Sequence, residues 1–292
     1  MTFKYLRTEL SEGVMTLVLD RPDKLNSCTF QMLDEFSQAL HEANEDDQVR
    51  AVIVTGAGRA FCAGTDLSGA EGSYDASESI GEEIDGVPRD VGGRLSLQMF
   101  DYDKPLIAAV NGAAAGYGAT MTLPMDIRIA STDARFGFVF SRRGLIPEAC
   151  ATWFLPRIVG ISRALEWVES GRMVDAQEAL AAGLVREVVA PGDLRSRATE
   201  LAHSLIDNSS AVSVMLARRI MLKMLGADHP MKAHELESRG LALIRESADF
   251  KEGVASFLEK RPPRFPQKAH ADRPEGFPWW RERPFDPTVD GQ

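Results

Sequence analysis

The sequence predicts an α/β protein: a body built on a parallel sheet over residues 1–190, a helical region over 191–260, and a proline-rich extended tail over 261–292. Three observations carry this. A β-type run, a helical run and a second β-type run follow one another between Val14 and Thr55, the order expected of a right-handed crossover and a parallel sheet. Apolar strands ending near Thr55 and Asn111 run directly into glycine-rich loops. From Pro191 to Leu258 the apolar positions keep helical spacing almost throughout.

Taken in order, Val14–Leu19 is a short β-type run stopped by the turn signal Asp20-Arg-Pro22. Phe30, Leu33, Phe36, Ala39, Leu40 and Ala43 recur at helical intervals, which predicts a helix over 29–44 with Thr29 as its N-cap. Val49–Thr55 is β-branched and ends at Gly56-Ala-Gly58. Gly69–Arg94 is rich in Gly, Ser, Asp and Glu with few apolar anchors, and reads as a mobile surface segment or a flap over a pocket. A helix is expected over Arg94–Tyr102 and a strand over Pro105–Asn111, followed by the Gly/Ala-rich stretch 112–122. Two more short strands are expected at Asp126–Ser131 and Arg135–Phe140, then helices at Glu148–Val159, Ser162–Ser170 and Ala176–Ala182, and a last strand at Gly183–Val189. The tail beyond Lys260 holds seven of the fifteen prolines, with Trp279 and Trp280, and is expected to lie on a surface.

Composition narrows the function classes. At 292 residues and 44% hydrophobic content the chain can bury a large core. A formal charge of −10 with no basic stripe argues against nucleic acid as a partner. No apolar stretch approaches the roughly 20 residues that span a bilayer, and Met1–Arg7 lacks a signal-peptide core. Cys28, Cys62 and Cys150 are odd in number and lack metal-ligand spacing, so they read as reduced thiols of a cytoplasmic protein. The five histidines form no i,i+4 pair, so no metal is expected.

The chemistry points to the two glycine loops. Arg59-Ala-Phe-Cys-Ala-Gly-Thr-Asp-Leu67 places small residues at Ala60, Ala63 and Gly64 after an apolar strand. Small side chains let a ligand approach the backbone, and glycine allows unusual φ values. Asn111-Gly-Ala-Ala-Ala-Gly-Tyr-Gly-Ala119 again follows a strand and opens a helix, where unpaired N–H groups suit an anion. Two donors converging from separate loops would make an oxyanion hole, worth about 3–4 kcal/mol of barrier per donor. Competing motifs fail: Phe61 and Met121 occupy the third glycine position of a dinucleotide fingerprint, and no Gly-x-Ser-x-Gly elbow occurs.

In combination these loops resemble the crotonase, or enoyl-CoA hydratase/isomerase, superfamily. The matching pieces are Arg21-Pro-Asp-Lys-Leu-Asn26, the 59–67 loop, Lys104–Gly112, Ala114–Ala119, Asp126–Ala130, Arg135-Phe-Gly137, Gly144-Leu-Ile-Pro147, Ala181–Val185 and Phe257–Lys260, in family order over about residues 3–265. The resemblance implies a spiral of ββα turns with a helical C-terminal trimerisation region, a homotrimer or dimer of trimers, and an acyl-CoA thioester as partner. Coenzyme A would be part of the substrate, and no other cofactor is implied. By motif position the oxyanion donors would be the N–H groups of Thr65 and Tyr117, flanked by Gly64 and Gly116. Ala63, Asp66 and Leu67 would touch CoA through backbone atoms, Lys24 and Leu25 would lie by its phosphates and adenosine, and Phe257 and Lys260 would reach a CoA, in a neighbouring subunit for instance.

The reaction turns on the acids. The family's hydratases use two glutamates, and the corresponding positions here are Thr120 and the neighbourhood of Phe140. Neither is acidic. Glu148 instead follows Pro147 directly, where one branch of enoyl-CoA isomerases carries an acid. A lone carboxylate suffices to move a proton from C2 to C4, so isomerisation is expected ahead of hydration, hydrolysis or non-catalytic binding. Phe138, Phe140 and Trp153 would make its pocket apolar and raise its pKa. A place in the first turn of the helix over 148–159 would oppose that.

Overall fold

The computed structural model describes residues 3–67 and 83–286. Its first turn is a hairpin of β1 (Leu6–Ser11) and β2 (Val14–Leu19), followed by a 3-10 turn at Pro22–Lys24 and helix α1 (Phe30–Glu45). Thr29 caps α1 by accepting the Met32 N–H, as its sequence predicts.

From there the chain repeats one motif. A strand enters a six-stranded sheet, a sharp corner follows, and a three-residue strand enters a second, four-stranded sheet. The pairs are β3 (Ala51–Gly56) with β4 (Ala60–Cys62), then, beyond a small hairpin of β5 (Glu83–Ile84) and β6 (Val87–Pro88) and helix α2 (Val91–Phe100), β7 (Leu106–Val110) with β8 (Ala113–Ala115). After the short helix α3 (Tyr117–Thr120) come β9 (Ile127–Ser131) and β10 (Arg135–Gly137). Helices α4 (Ala151–Val159) and α5 (Ile161–Ser170), β11 (Met173–Asp175), α6 (Ala176–Ala181) and β12 (Glu187–Val189) complete the body. The large sheet runs β1-β2-β3-β7-β9-β12 and the small one β11-β10-β8-β4. Only the β1–β2 and β10–β11 pairings within them are antiparallel. Successive ββα turns therefore wind as a spiral, each giving one strand to each sheet.

The central strands of the large sheet are buried on both faces, which explains their continuous apolar runs. Leu17, Leu19, Val52, Val54, Ala108 and Val110 join the main core with α1 and α2. The alternate residues Ala51, Ile53, Ile107, Ala109 and Ile129 pack instead on α7 (Leu194–Ile206), through its Leu194, Ala198, Leu201 and Ile206. Each fully buried Leu or Ile stabilises by about 1.5–3 kcal/mol. Two buried or half-buried asparagines hold the first corner. Asn26 Nδ2 donates to the Ala57 and Ala60 carbonyls, and Asn111 accepts from the Gly56 N–H while donating to Gly58 and Ala60.

Beyond the body lie α8 (Ala211–Met224), α9 (Met231–Ile244) and α10 (Ala248–Glu259). The chain after α10 has neither helix nor strand through residue 286, yet it is anchored. Phe277 is buried with Val212, Met215, Leu216 and Ile220, and Trp279 and Trp280 pack around it. Upstream, the His270 and Ala271 N–H groups both donate to Asp47.

Several boundaries differ from the sequence expectation, for physical reasons. β1 exposes all but Leu6, so it carries no alternating pattern. Of the expected segment Gly69–Arg94, residues 69–82 lie outside the described residues. The rest is ordered: α2 begins at Val91 because Asp90 caps it, accepting the Gly92 and Gly93 N–H groups. The expected strand 135–140 stops at Gly137, and the expected helix 148–159 starts only at Ala151. Ala149 and Cys150 both have φ near +57°, which is left-handed and breaks helical geometry there.

Candidate active site

The three parallel short strands β4, β8 and β10 lie side by side, and their C-terminal ends release the three segments that build the site. This is where ligands collect in parallel sheets. After β4 comes Ala63-Gly64-Thr65, after β8 Gly116-Tyr117, and after β10 the excursion that carries Glu148.

The loop after β4 is aimed by a bridge to the segment preceding α1. Cys28 N–H donates to the Gly64 carbonyl at 2.8 Å, and Cys28 O accepts the Asp66 N–H at 2.9 Å. The bridged residue is Thr65, so its own N–H points to the opposite side and has no backbone acceptor among the described residues. Gly64 makes this possible. Its φ is +98°, and a Cβ there would come within 2.7 Å of the Ala115 carbonyl oxygen and 3.7 Å of the Tyr117 nitrogen. The Tyr117 N–H opens α3 and likewise lacks a backbone acceptor among the described residues. Gly116 N–H is held by the Gly137 carbonyl at 2.8 Å, which fixes this loop against β10. Two unpaired donors thus stand on adjoining loops.

Thr65, Tyr117, Phe140, Pro147 and Glu148 line one cavity of about 560 Å³. Its walls also include Phe30, Leu33, Val91, Gly92, Leu145 and Ile146. Of the three aromatics expected around Glu148, only Phe140 lines the cavity. Phe138 is buried in a stack on Trp167, and Trp153 packs edge-on against Phe100 and Phe154.

Two carboxylates line the cavity. Glu148 Oε1 accepts the Thr120 hydroxyl at 2.9 Å, while Oε2 accepts no hydrogen bond among the described residues. Burial, and secondarily the charge of Asp90, raises its pKa to about 8, against the opposing Thr120 hydrogen bond. Glu148 precedes α4 rather than sitting in its first turn, so the expected dipole effect of that helix gives way to desolvation. The carboxylate instead lies against α2: a Cβ on Gly92 would approach Glu148 Oε2 to 2.5 Å and the Tyr117 ring to 2.8 Å. Asp90, by contrast, has both oxygens occupied by backbone N–H groups of Gly92, Gly93 and Ala149.

The other sequence candidates fall around this cavity. The Ala63 N–H donates to the Leu25 carbonyl at 3.0 Å, so the 24–25 turn and the first loop share one surface, with Lys24 and Leu67 exposed on it. Asp66 is buried, with its carboxylate paired to Arg21 at 2.9 Å and its N–H taken by the Cys28 carbonyl. Phe257 and Lys260 are exposed at the end of α10 and do not line the cavity. Sequence reasoning missed Asp90 and Gly92; an Asp directly before an apolar helical run was the available signal.

The chain is similar to known proteins over most of its length. The family model described as enoyl-CoA hydratase/isomerase matches residues 9–268. It is 41% identical over 267 residues to enoyl-CoA hydratase ACTT3 of Alternaria alternata, covering 91% of this chain and 87% of that protein. It is 35% identical over 268 residues to 1,2-epoxyphenylacetyl-CoA isomerase of Escherichia coli K12, covering 91% and 99%. The crystal structure of enoyl-CoA hydratase from Bacillus anthracis superposes with a TM-score of 0.78 at 32% identity, covering 90% of this chain and 99% of that one.

Proposed function

This chain is a member of the enoyl-CoA hydratase/isomerase family, and on that premise we propose that it shifts the double bond of a 3-enoyl-CoA thioester into conjugation. The thioester oxygen would sit between the Thr65 and Tyr117 N–H groups. Ionised Glu148 takes a proton from C2, the electron pair moves onto the oxygen as a dienolate, and the resulting carboxylic acid returns the proton at C4. No water is consumed, so one acid is enough.

The observation that carries this reading is the state of the two cavity carboxylates. Glu148 alone keeps an oxygen that accepts no hydrogen bond among the described residues, while Asp90 is saturated by N–H donors. A pKa of about 8 also suits a group that must both take and return a proton near neutrality. Two N–H donors at a developing oxyanion supply the charge stabilisation.

Hydration is the second reading, favoured by the name of the 41% identical relative. Both are tested by following the conjugated thioester's ultraviolet band with 3-enoyl-CoA and with 2-enoyl-CoA. Appearance of the band from 3-enoyl-CoA, lost in Glu148→Gln, supports isomerisation. Loss of the band from 2-enoyl-CoA, with no action on 3-enoyl-CoA, sinks it in favour of hydration. Binding of either thioester without turnover would sink both.

A further inference from the structure

We propose that Asp90 is a positioning residue for Glu148: its carboxylate ties the turn that carries Glu148 to the first turn of α2, so that the base and this wall of the cavity form one unit. The inference rests on Glu148 being the base. Asp90 Oδ1 accepts the Gly92 N–H at 3.0 Å, and Oδ2 accepts the Gly93 N–H at 2.8 Å. Those two bonds are an ordinary helix cap. The third is not: Oδ2 also accepts the Ala149 N–H at 2.8 Å, from a residue 59 positions further along the chain. A weaker contact runs in parallel, Cys150 Sγ to the Gly93 carbonyl at 3.9 Å.

The turn needs such a tie. Ala149 and Cys150 both hold left-handed φ values of +57°, a conformation that is strained for an L residue and persists where surroundings over-determine it. Glu148 stands immediately before this pair, with Oε2 against the Cα of Gly92. Without Asp90, three N–H groups in a half-buried wall would lose their acceptor.

Asp90 also acts through its charge. The groups facing Glu148 are Asp90 at the α2 cap, Thr120 and Tyr117 on α3, Cys28 behind the first loop and Cys150 in its own turn, and Arg89 lines the same cavity. Asp90 is the charged neighbour that favours the protonated form of Glu148.

The two effects separate in Asp90→Asn, which keeps the size, loses the charge and replaces one acceptor oxygen. Glu148 is titrated directly by carbon-13 NMR of glutamate-labelled protein, with Glu148→Gln identifying its signal. We expect the inflection to fall by about one pH unit. Turnover of 3-enoyl-CoA at pH 9, where the base is ionised in both proteins, is expected to drop at least tenfold in kcat with KM changed less than threefold. Asp90→Ser, which keeps a capping hydroxyl, gives the same reading if the Asn variant does not fold. A cap that merely stabilises α2 would lower Tm and leave the Glu148 inflection where it was, and that result overturns the proposal. Failure of the wild type to turn over 3-enoyl-CoA would overturn the assignment of the base, and it is seen in a separate measurement.

Discussion

The Thr120 hydroxyl donates a 2.9 Å hydrogen bond to Glu148 Oε1. Counting from the second glycine loop, Thr120 occupies the place where a two-acid hydratase would carry a glutamate, and here that place serves the carboxylate of the other segment. A hydroxyl has one proton, and its alternative acceptors are the Tyr117 and Gly116 carbonyls at 3.2 and 3.4 Å. The shortest contact is the charged one, and it opposes the rise in the Glu148 pKa. A hydrogen bond to a charged group is worth about 1.5–3 kcal/mol, so this bond works against burial in setting how much of Glu148 is ionised near neutrality.

Thr120→Val is therefore expected to raise the Glu148 pKa further above 8. At pH 7 the ionised fraction, and with it kcat/KM for 3-enoyl-CoA, should fall by about tenfold, since each pKa unit is 1.36 kcal/mol. Because the base can still ionise, the rate should recover above about pH 9. A pH–rate profile checks this; an equal loss at every pH would mean that Thr120 acts by shape rather than by hydrogen bonding.

Gly92 tests how tightly the base is packed. A Cβ there would stand 2.5 Å from Glu148 Oε2 and 2.8 Å from the Tyr117 ring; the carboxylate can swing into the cavity it lines, whereas the buried Tyr117 ring is held in the core. Gly92→Ala should cost about 1–3 kcal/mol of stability, with at least a tenfold loss of kcat from a displaced carboxylate. Thermal melting and steady-state kinetics measure the two effects separately.

Much of the fold was legible in the sequence because it lies in long periodic segments. The helix capped by Thr29 and the helical stretch after Pro191 keep one apolar period over several turns, and the strands around Leu17 and Ile53 are continuous apolar runs. The short strands Ala60–Cys62 and Ala113–Ala115 were legible only as glycine loops, since three small residues carry no alternation. In the cavity, Glu148 and the two amides fall in recognisable motifs. Asp90 and Gly92 do not, because their roles are long-range: one accepts an N–H from Ala149, and the other lacks a side chain so that Glu148 can approach. The start of α4 was misplaced for a related reason. Its helical spacing extends back to Glu148, while tertiary contacts hold Ala149 and Cys150 left-handed.

The proposed oxyanion donors, Thr65 and Tyr117, act through backbone atoms, so they are tested through the residue that aims the first of them. At Gly64 an alanine meets both a φ of +98° and the Ala115 carbonyl at 2.7 Å. Gly64→Ala should turn the Thr65 N–H away from Tyr117 and lower kcat by about 10²–10³. The Glu148 titration should remain in place, since that carboxylate is held by α2 and α3. A Gly64→Ala protein that melts normally and keeps full turnover would remove Thr65 from the site.

The raised pKa of Glu148 has a consequence for stability that needs no substrate. In the folded chain the group titrates near 8, against 4.5 as its ordinary value. Between those values the folded state holds a proton that the unfolded chain has released. Stability then falls as pH rises through this window, because the slope follows protons bound in the unfolded state minus those in the folded state. The full shift corresponds to roughly 3–5 kcal/mol, as an upper bound for a buried group. Glu148→Gln removes the titration while keeping an oxygen for Thr120. It should change Tm little near pH 5 and raise it relative to the wild type at pH 9, read by thermal melting at the two values. A Tm difference that does not grow with pH would mean that the carboxylate is solvated, and its fitness as a base near neutrality would have to come from the bound acyl chain closing the cavity over it.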